Sequence, residues 1–385
     1  MNSIKPNDIP EISIILPCRN EEAALGYCLK QIKEVINKHQ LSAEVIVSDS
    51  SSDDSSNIAR RYGVRLIRHN KEGYGNAYLE GLSCAKGKYI FTADADGTYD
   101  FNEIPGFISH LKSGYDLVLG NRMGGKIFPE AMPWHHKYLG NPTLSYFLRL
   151  FFREKIHDPQ TGMRAIRRES LNKLNLQAGG MEFASEMLIK SFKNNLKIKE
   201  IPINYYPRMG KSKLKSFRDG WRHLRLMLIY SPLYLFFLPG FILFFLGLIS
   251  MILFYLMGPE VFGMVLYFHS MFLSSLLLIV GYQLILLALF AKVYAVNHLG
   301  ERSQFIVNFF RFFTLEKAIF GGGLLILAGL AIAILIFSNW VELGFASLNE
   351  APNFILSLTL LVLGSQTIFS AFMMSILSIK KENQK

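Results

Sequence analysis

The stretch YIFTADADGTYD, residues 89–100, begins as a strand-like apolar run and ends in alternating carboxylates and a glycine. In an extended chain, residues two apart share a face, so Asp94 and Asp96 are expected to point the same way. Like charges that close repel unless a cation or hydrogen-bond donors lie between them. Two expectations stand: the pair holds a hard metal ion, or the carboxylates only cap a turn.

Working outward, the runs ISIILP (12–17), EVIVSD (44–49) and YDLVLGNR (115–122) repeat the pattern of a short β-branched strand ending in polar residues. Residues 22–39 and 74–85 carry helical spacing between them. Such alternation, sustained to about residue 226, predicts an α/β, Rossmann-like domain with a mainly parallel sheet covered on both faces. Ligands of such sheets bind beyond the carboxyl ends of the strands. Pro17, Asp49, Asp94 and Arg122 all fall at predicted strand ends.

The second half reads differently. Apolar runs at 231–257, 261–290, 318–337 and 353–379 each match the ~20 residues that cross a bilayer core. From Leu226 to Ile379 the basic residues are Lys292, Arg302, Arg311 and Lys317, all within 291–317. The connections GPE and SNWVELGFASLNEAPN carry only acidic charge. The positive-inside rule then places the first domain, the 291–317 loop and the tail KKENQK on the cytoplasmic side. Three segments are expected: a catalytic domain at 1–210, an amphipathic interfacial helix at 211–229, and a four-helix transmembrane domain at 230–385. In the middle segment Leu214, Phe217, Trp221, Leu224 and Leu228 form one apolar stripe among Lys and Arg, as in helices that lie along anionic lipid. The competing expectation is a basic helix packed on its own domain.

Bulk composition agrees. A hydrophobic share of 50% and a mean hydropathy of +0.24 exceed those of ordinary soluble chains of 385 residues. A formal charge of +11 must therefore sit away from the apolar half. It fits anionic lipid or a phosphorylated ligand, and no nucleic-acid module is recognisable. Cys18, Cys28 and Cys84 lack metal-ligand spacing, and their odd number speaks against a disulfide framework. The start, MNSIKPNDIP, has no apolar h-region, so no cleaved signal peptide is expected.

The pair of acids at a strand end suits Mg²⁺ or Mn²⁺, which take oxygen ligands, keep waters and use one or two carboxylates with ligand phosphates. Ala95 leaves room for a nucleotide, and Gly97 lets the chain turn away. With ILPCRNEE (15–22), VIVSDSSSDDS (45–55), GYGNAYLEGL (73–82), DADGTYD (94–100), LVLGNRM (117–123), DPQTGMRA (158–165) and IPINYYPRMGKSKL (201–214), the chain resembles glycosyltransferase family 2 of the GT-A fold. It is similar to its dolichyl-phosphate mannose synthases and polyprenyl-phosphate glycosyltransferases.

That resemblance implies that Pro17, Arg19 and Glu21 line the nucleotide pocket with Ala95 and Arg208, and that Asp49 contacts the base. It implies that Asp94 and Asp96 hold the metal. Arg122, Arg164, Arg208 and Lys213 would gather around the leaving diphosphate and the acceptor phosphate, with Asp158 orienting Arg164 or acting as base. The implied partners are a UDP- or GDP-linked sugar, a polyprenyl phosphate and a bacterial inner or archaeal plasma membrane, with a homo-oligomer left open. Ser48-Asp49-Ser50-Ser51 departs from the usual Asp-Asp-Gly-Ser, Arg19 replaces an aromatic residue, and Thr98 stands where some relatives have a metal-binding Gln.

Physical chemistry points the same way. Breaking a sugar–nucleotide bond releases a diphosphate, which a divalent ion and guanidinium groups stabilise. A phosphate acceptor is already anionic and needs cations more than a base, and attack from the opposite face inverts the anomeric carbon. The rivals are a processive polysaccharide synthase, although no Gln-x-x-Arg-Trp precedes the apolar half, and a flippase or assembly protein with a regulatory front domain.

Overall fold

The computed structural model describes residues 9–210, 216–257, 260–261, 264–265, 269–298, 308, 314–345 and 350–379. Lys213 and Leu214 lie outside them. Contacts divide the chain into two units, 1–230 and 231–385.

In the first unit seven strands form one sheet: β1 (Ile12–Cys18), β2 (Ala43–Asp49), β3 (Arg65–Arg68), β4 (Tyr89–Thr92), β5 (Leu117–Asn121), β6 (Arg164–Arg167) and β7 (Ile198–Pro202). Their order is β3-β2-β1-β4-β6-β5-β7, parallel except that β6 runs antiparallel to β4 and β5. The apolar run Ile12–Cys18 is buried on both faces, which is why it lacks polar alternation. Leu25, Ile32 and Phe107 belong to the core on one face, and Tyr78, Phe183 and Leu188 to that on the other.

The order reverses between β1 and β4, so the two chains leaving these strands diverge and open a crevice. Asp94 and Asp96 lie beyond β4, which ends at Thr92. Their convergence is therefore the work of a turn and not of strand alternation, a correction to the sequence expectation. The turn forms because Asp96 Oδ1 accepts hydrogen bonds from Thr98 N (3.1 Å) and Thr98 Oγ1 (2.6 Å), with Gly97 at φ +81 between them.

Three helices support the crevice: α3 (Tyr74–Cys84), α7 (Phe183–Lys193) and α8 (Ser216–Tyr230). Helix α8 buries Asp219, His223 and Met227, spaced four apart, and leaves Phe217 91% and Trp221 53% exposed. One face of this helix thus packs on the domain, and Phe217 and Trp221 stay exposed. The helix at Asn141–Phe152 divides similarly, with Leu148 buried and Tyr146 exposed.

Among the described residues of the second unit, four helices are long and apolar enough to cross a membrane: Leu233–Leu256, His269–Asn297, Leu315–Glu342 and Ala351–Ser378. Helical structure runs to His298, so the first part of the expected 291–317 loop continues the second helix. Small residues bring these helices together: Ser357 Oγ donates to Gly329 O at 2.7 Å, and Ser275 and Thr359 hydroxyls meet at 2.7 Å. Close backbone approach and interhelical hydrogen bonds are the usual cement of helices in lipid.

Candidate active site

A cleft of about 570 Å³ opens at the carboxyl ends of β1 and β4. Pro17 at the end of β1 and Arg19 and Glu21 just beyond it line its wall, Asp94, Ala95 and Asp96 follow β4, and Arg122 and Arg208 come from beyond β5 and β7. Eight residues singled out in the sequence thus share one cavity.

Asp94 accepts hydrogen bonds from Tyr74 OH (2.9 Å) and Tyr78 OH (3.3 Å) on α3. Burial raises its carboxyl to about 6, with the neighbouring Asp96 charge adding to the effect. The two tyrosines were not anticipated, although their i, i+4 spacing was a readable sign that both reach one point. Asp96 faces Arg208, whose Nη1 lies 3.0 Å from Oδ2 while Nη2 lies 2.5 Å from Glu21 Oε1.

Arg122 is 7% exposed and grips Asp158 in a fork: Nε to Oδ2 at 2.7 Å and Nη2 to Oδ1 at 2.8 Å. The Arg122 backbone N–H adds a third bond to Oδ2 at 2.9 Å. Burial disfavours the guanidinium charge, but Asp158 more than offsets it and keeps Arg122 protonated. The guanidinium also lies 5.0 Å over the Tyr205 ring.

Three expected site residues stand behind the wall instead of on it. Asp158 is fully buried and orients Arg122, not Arg164. Arg164 donates from Nε, Nη1 and Nη2 to the carbonyls of Thr161, Ala184 and Pro159, each at 2.8 Å, so it clamps backbone. Asp49, also fully buried, accepts from Ser51 N at 2.9 Å and from Ser56 Oγ, which shapes the loop after β2 and keeps the carboxylate off the cleft wall.

The first two glycines of GYGNAYLEGL, Gly73 and Gly75, lie against neighbouring backbone. Gly75 N donates to Gly180 O at 3.1 Å and Asn76 N to Gly179 O at 3.0 Å, so the 178–180 segment covers the start of α3. A Cβ on Gly75 would lie 2.0 Å from Ala178 O. Glu186 accepts from the Gln177 and Ala178 amides, which makes it the anchor of that segment.

The donor set fits a hard divalent ion. It offers carboxylate oxygens, and Arg208 already places a positive charge at Asp96. Among the described residues no three His, Cys, Asp or Glu cluster, so an ion held by Asp94 and Asp96 would take its remaining ligands from water and phosphate, as Mg²⁺ and Mn²⁺ favour.

Residues 13–174 match the model of glycosyl transferase family 2, and residues 289–378 match that of the glycosyltransferase family 2 C-terminal transmembrane region. The chain is 37% identical over 366 residues to a low-salt glycan biosynthesis hexosyltransferase of Haloferax volcanii, covering 95% of this chain and 88% of that one. It is 31% identical over 210 residues to a dolichyl-phosphate hexose transferase of the same organism, covering 54% and 89%. Among solved structures, glucosyl-3-phosphoglycerate synthase from Mycobacterium tuberculosis, crystallised with Mn²⁺, UDP and glucosyl-3-phosphoglycerate, overlaps 58% of this chain and 80% of its own at TM-score 0.47 and 22% identity. Seven motifs in order, a cleft at the strand ends and four membrane-length helices agree with these matches: the chain belongs to glycosyltransferase family 2, as an integral membrane member.

Proposed function

We propose that the protein transfers one hexose, with inversion, from a UDP- or GDP-linked donor to a polyprenyl phosphate at the cytoplasmic membrane face. The observation that carries this reading is the Arg122–Asp158 pair. The carboxylate expected from the sequence as a general base, Asp158, is fully buried, and both its oxygens are committed to a guanidinium. A hydroxyl acceptor needs its proton removed, whereas a phosphate monoester arrives ionised near neutral pH. The cleft instead offers cations, Arg122 and Arg208, to draw an anionic nucleophile toward an anionic donor.

Asp94 and Asp96 would hold the divalent ion, which when bound supplies charge neutralisation at the departing diphosphate. Tyr74 and Tyr78 fix the Asp94 carboxylate. Arg208 follows the leaving diphosphate charge, and Arg122, rigid on Asp158, faces the incoming phosphate. The aromatic edge of α8 supports an interfacial role for this helix, which would keep the lipid phosphate near the cleft.

A donor screen tests the reading. Purified full-length protein is incubated with a panel of nucleotide sugars and polyprenyl phosphate, with and without EDTA, and the lipid is analysed by mass spectrometry. One hexosyl phospholipid, absent with EDTA, is the expected product. No lipid product from any donor, or a polymer, would sink the proposal.

A further inference from the structure

We propose that Gln160 reads the transferred sugar, its side-chain amide donating a hydrogen bond to a hexose hydroxyl. The inference deepens the proposed donor-site reading and rests on it. Gln160 lines the cleft, yet its Nε2 is shielded from solvent and has no hydrogen-bond partner in the structure. Buried donors are nearly always paired, so an unpaired one on a residue that lines the cleft calls for a ligand acceptor.

The backbone that carries it is held on both sides. Arg164, itself 3% exposed, pins the carbonyls of Pro159 and Thr161 on either side of Gln160, each at 2.8 Å. Asp158, one residue before Pro159, is locked on Arg122. The buried arginine at the start of β6 is therefore a positioning residue for Gln160, its guanidinium spent on the backbone carbonyls of this loop and of Ala184.

Strand order says which part of the donor lies here. The strands run β2-β1-β4-β6, so the loop after β1 and the carboxylates after β4 precede the 158–163 loop, which leads into β6. With strands about 4.8 Å apart, that loop is roughly 10 Å from the end of β1. A nucleotide at Pro17–Glu21 and a diphosphate at Asp94 and Asp96 leave the hexosyl group against Gln160. A neutral amide suits it: charged oxygens favour the arginines, whereas an amide N–H matches a neutral hydroxyl.

The test uses full-length protein in detergent with its best nucleotide hexose, epimers of that donor and the free nucleoside diphosphate. Gln160→Leu keeps the volume and removes the donor. Its affinity for the nucleotide hexose should fall at least tenfold, its affinity for the free diphosphate should change less than twofold, and its kcat/KM preference over the epimers should shrink about tenfold. Gln160→Asn, which draws the amide back by one carbon, should lose part of the preference. Unchanged discrimination in Gln160→Leu, or diphosphate affinity falling in step, overturns the assignment. A wild-type protein that binds no nucleotide hexose overturns the donor-site reading itself.

Discussion

Arg208 holds Asp96 at 3.0 Å and Glu21 at 2.5 Å, so one guanidinium occupies the carboxylate expected to serve a divalent ion. The segment around it is tied to the same turn, with Met209 N bonded to Asp96 O (2.9 Å) and Tyr206 N to Thr98 O (3.0 Å). An ion entering at Asp96 must displace this cation. Arg208→Ala should therefore bind Mn²⁺ roughly three- to tenfold more tightly in donor-free protein, the scale of a partly exposed ion pair, while transfer falls. Asp96→Ala should lose both ion binding and transfer. Titration by Mn²⁺ paramagnetic resonance checks this, and equal affinity in Arg208→Ala and wild type means that the arginine does not compete.

Asp158 and Arg122 make a second prediction, because a positioning carboxylate and a catalytic base fail differently. Removing one partner of a buried pair leaves an uncompensated charge and costs about 3–5 kcal/mol. Asp158→Asn should lower both thermal stability and transfer. A base would lose rate alone, so a variant with wild-type melting and no turnover would reinstate Asp158 as a general base.

How much of this was legible in the sequence depended on whether a local pattern carried the information. The parallel strands were readable because Ile12–Cys18 and Ala43–Asp49 are β-branched runs closed by polar residues. Antiparallel β6 was not, since Arg164–Arg167 is four residues long and begins and ends in arginine. The cleft residues after β1 and β4 were legible from strand-end position. Asp49 met the same criterion, and Asp158 and Arg164 came from the resemblance, but all three face inward. The partners that turn them, Ser51 beside Asp49, Thr161 beside Arg164 and Arg122 far from Asp158, follow no pattern a strand end displays. Gln160 carries no sequence signal of its own; its unpaired amide at the cleft and the clamp on its neighbours single it out.

Gly75 yields a stability prediction. Its missing Cβ lets the 178–180 segment lie on the start of α3, where backbone atoms cannot yield as a flexible side chain would. Gly75→Ala should destabilise the first unit by about 1–3 kcal/mol, the usual cost of overpacking. Gly180 and Met181 line the cleft, so nucleotide binding should weaken as well. Thermal melting with and without nucleoside diphosphate measures both, and an unshifted melting temperature would show that the segment is free to retreat.

His223 yields a pH prediction for α8. Its Nδ1 lies 2.8 Å from Ser185 Oγ on α7, and the residue is 3% exposed. Burial lowers its pKa from 6.5 to about 4; Asp219 on its own helix opposes the shift, and Arg164 beneath it adds to it. Folded protein thus binds fewer protons here than unfolded protein between these values. The contribution to stability is complete above about pH 6.5 and is lost as the pH falls toward 4, with a span on the order of 3 kcal/mol. Hydrogen exchange of residues 216–230, corrected for intrinsic rates, should therefore lose protection between pH 7 and 5. His223→Gln, which keeps a hydrogen bond to Ser185 within reach but cannot titrate, should flatten that dependence. If the two proteins lose protection in parallel, the pH sensitivity of α8 belongs to another group, and the Ser185–His223 contact is only a packing bond.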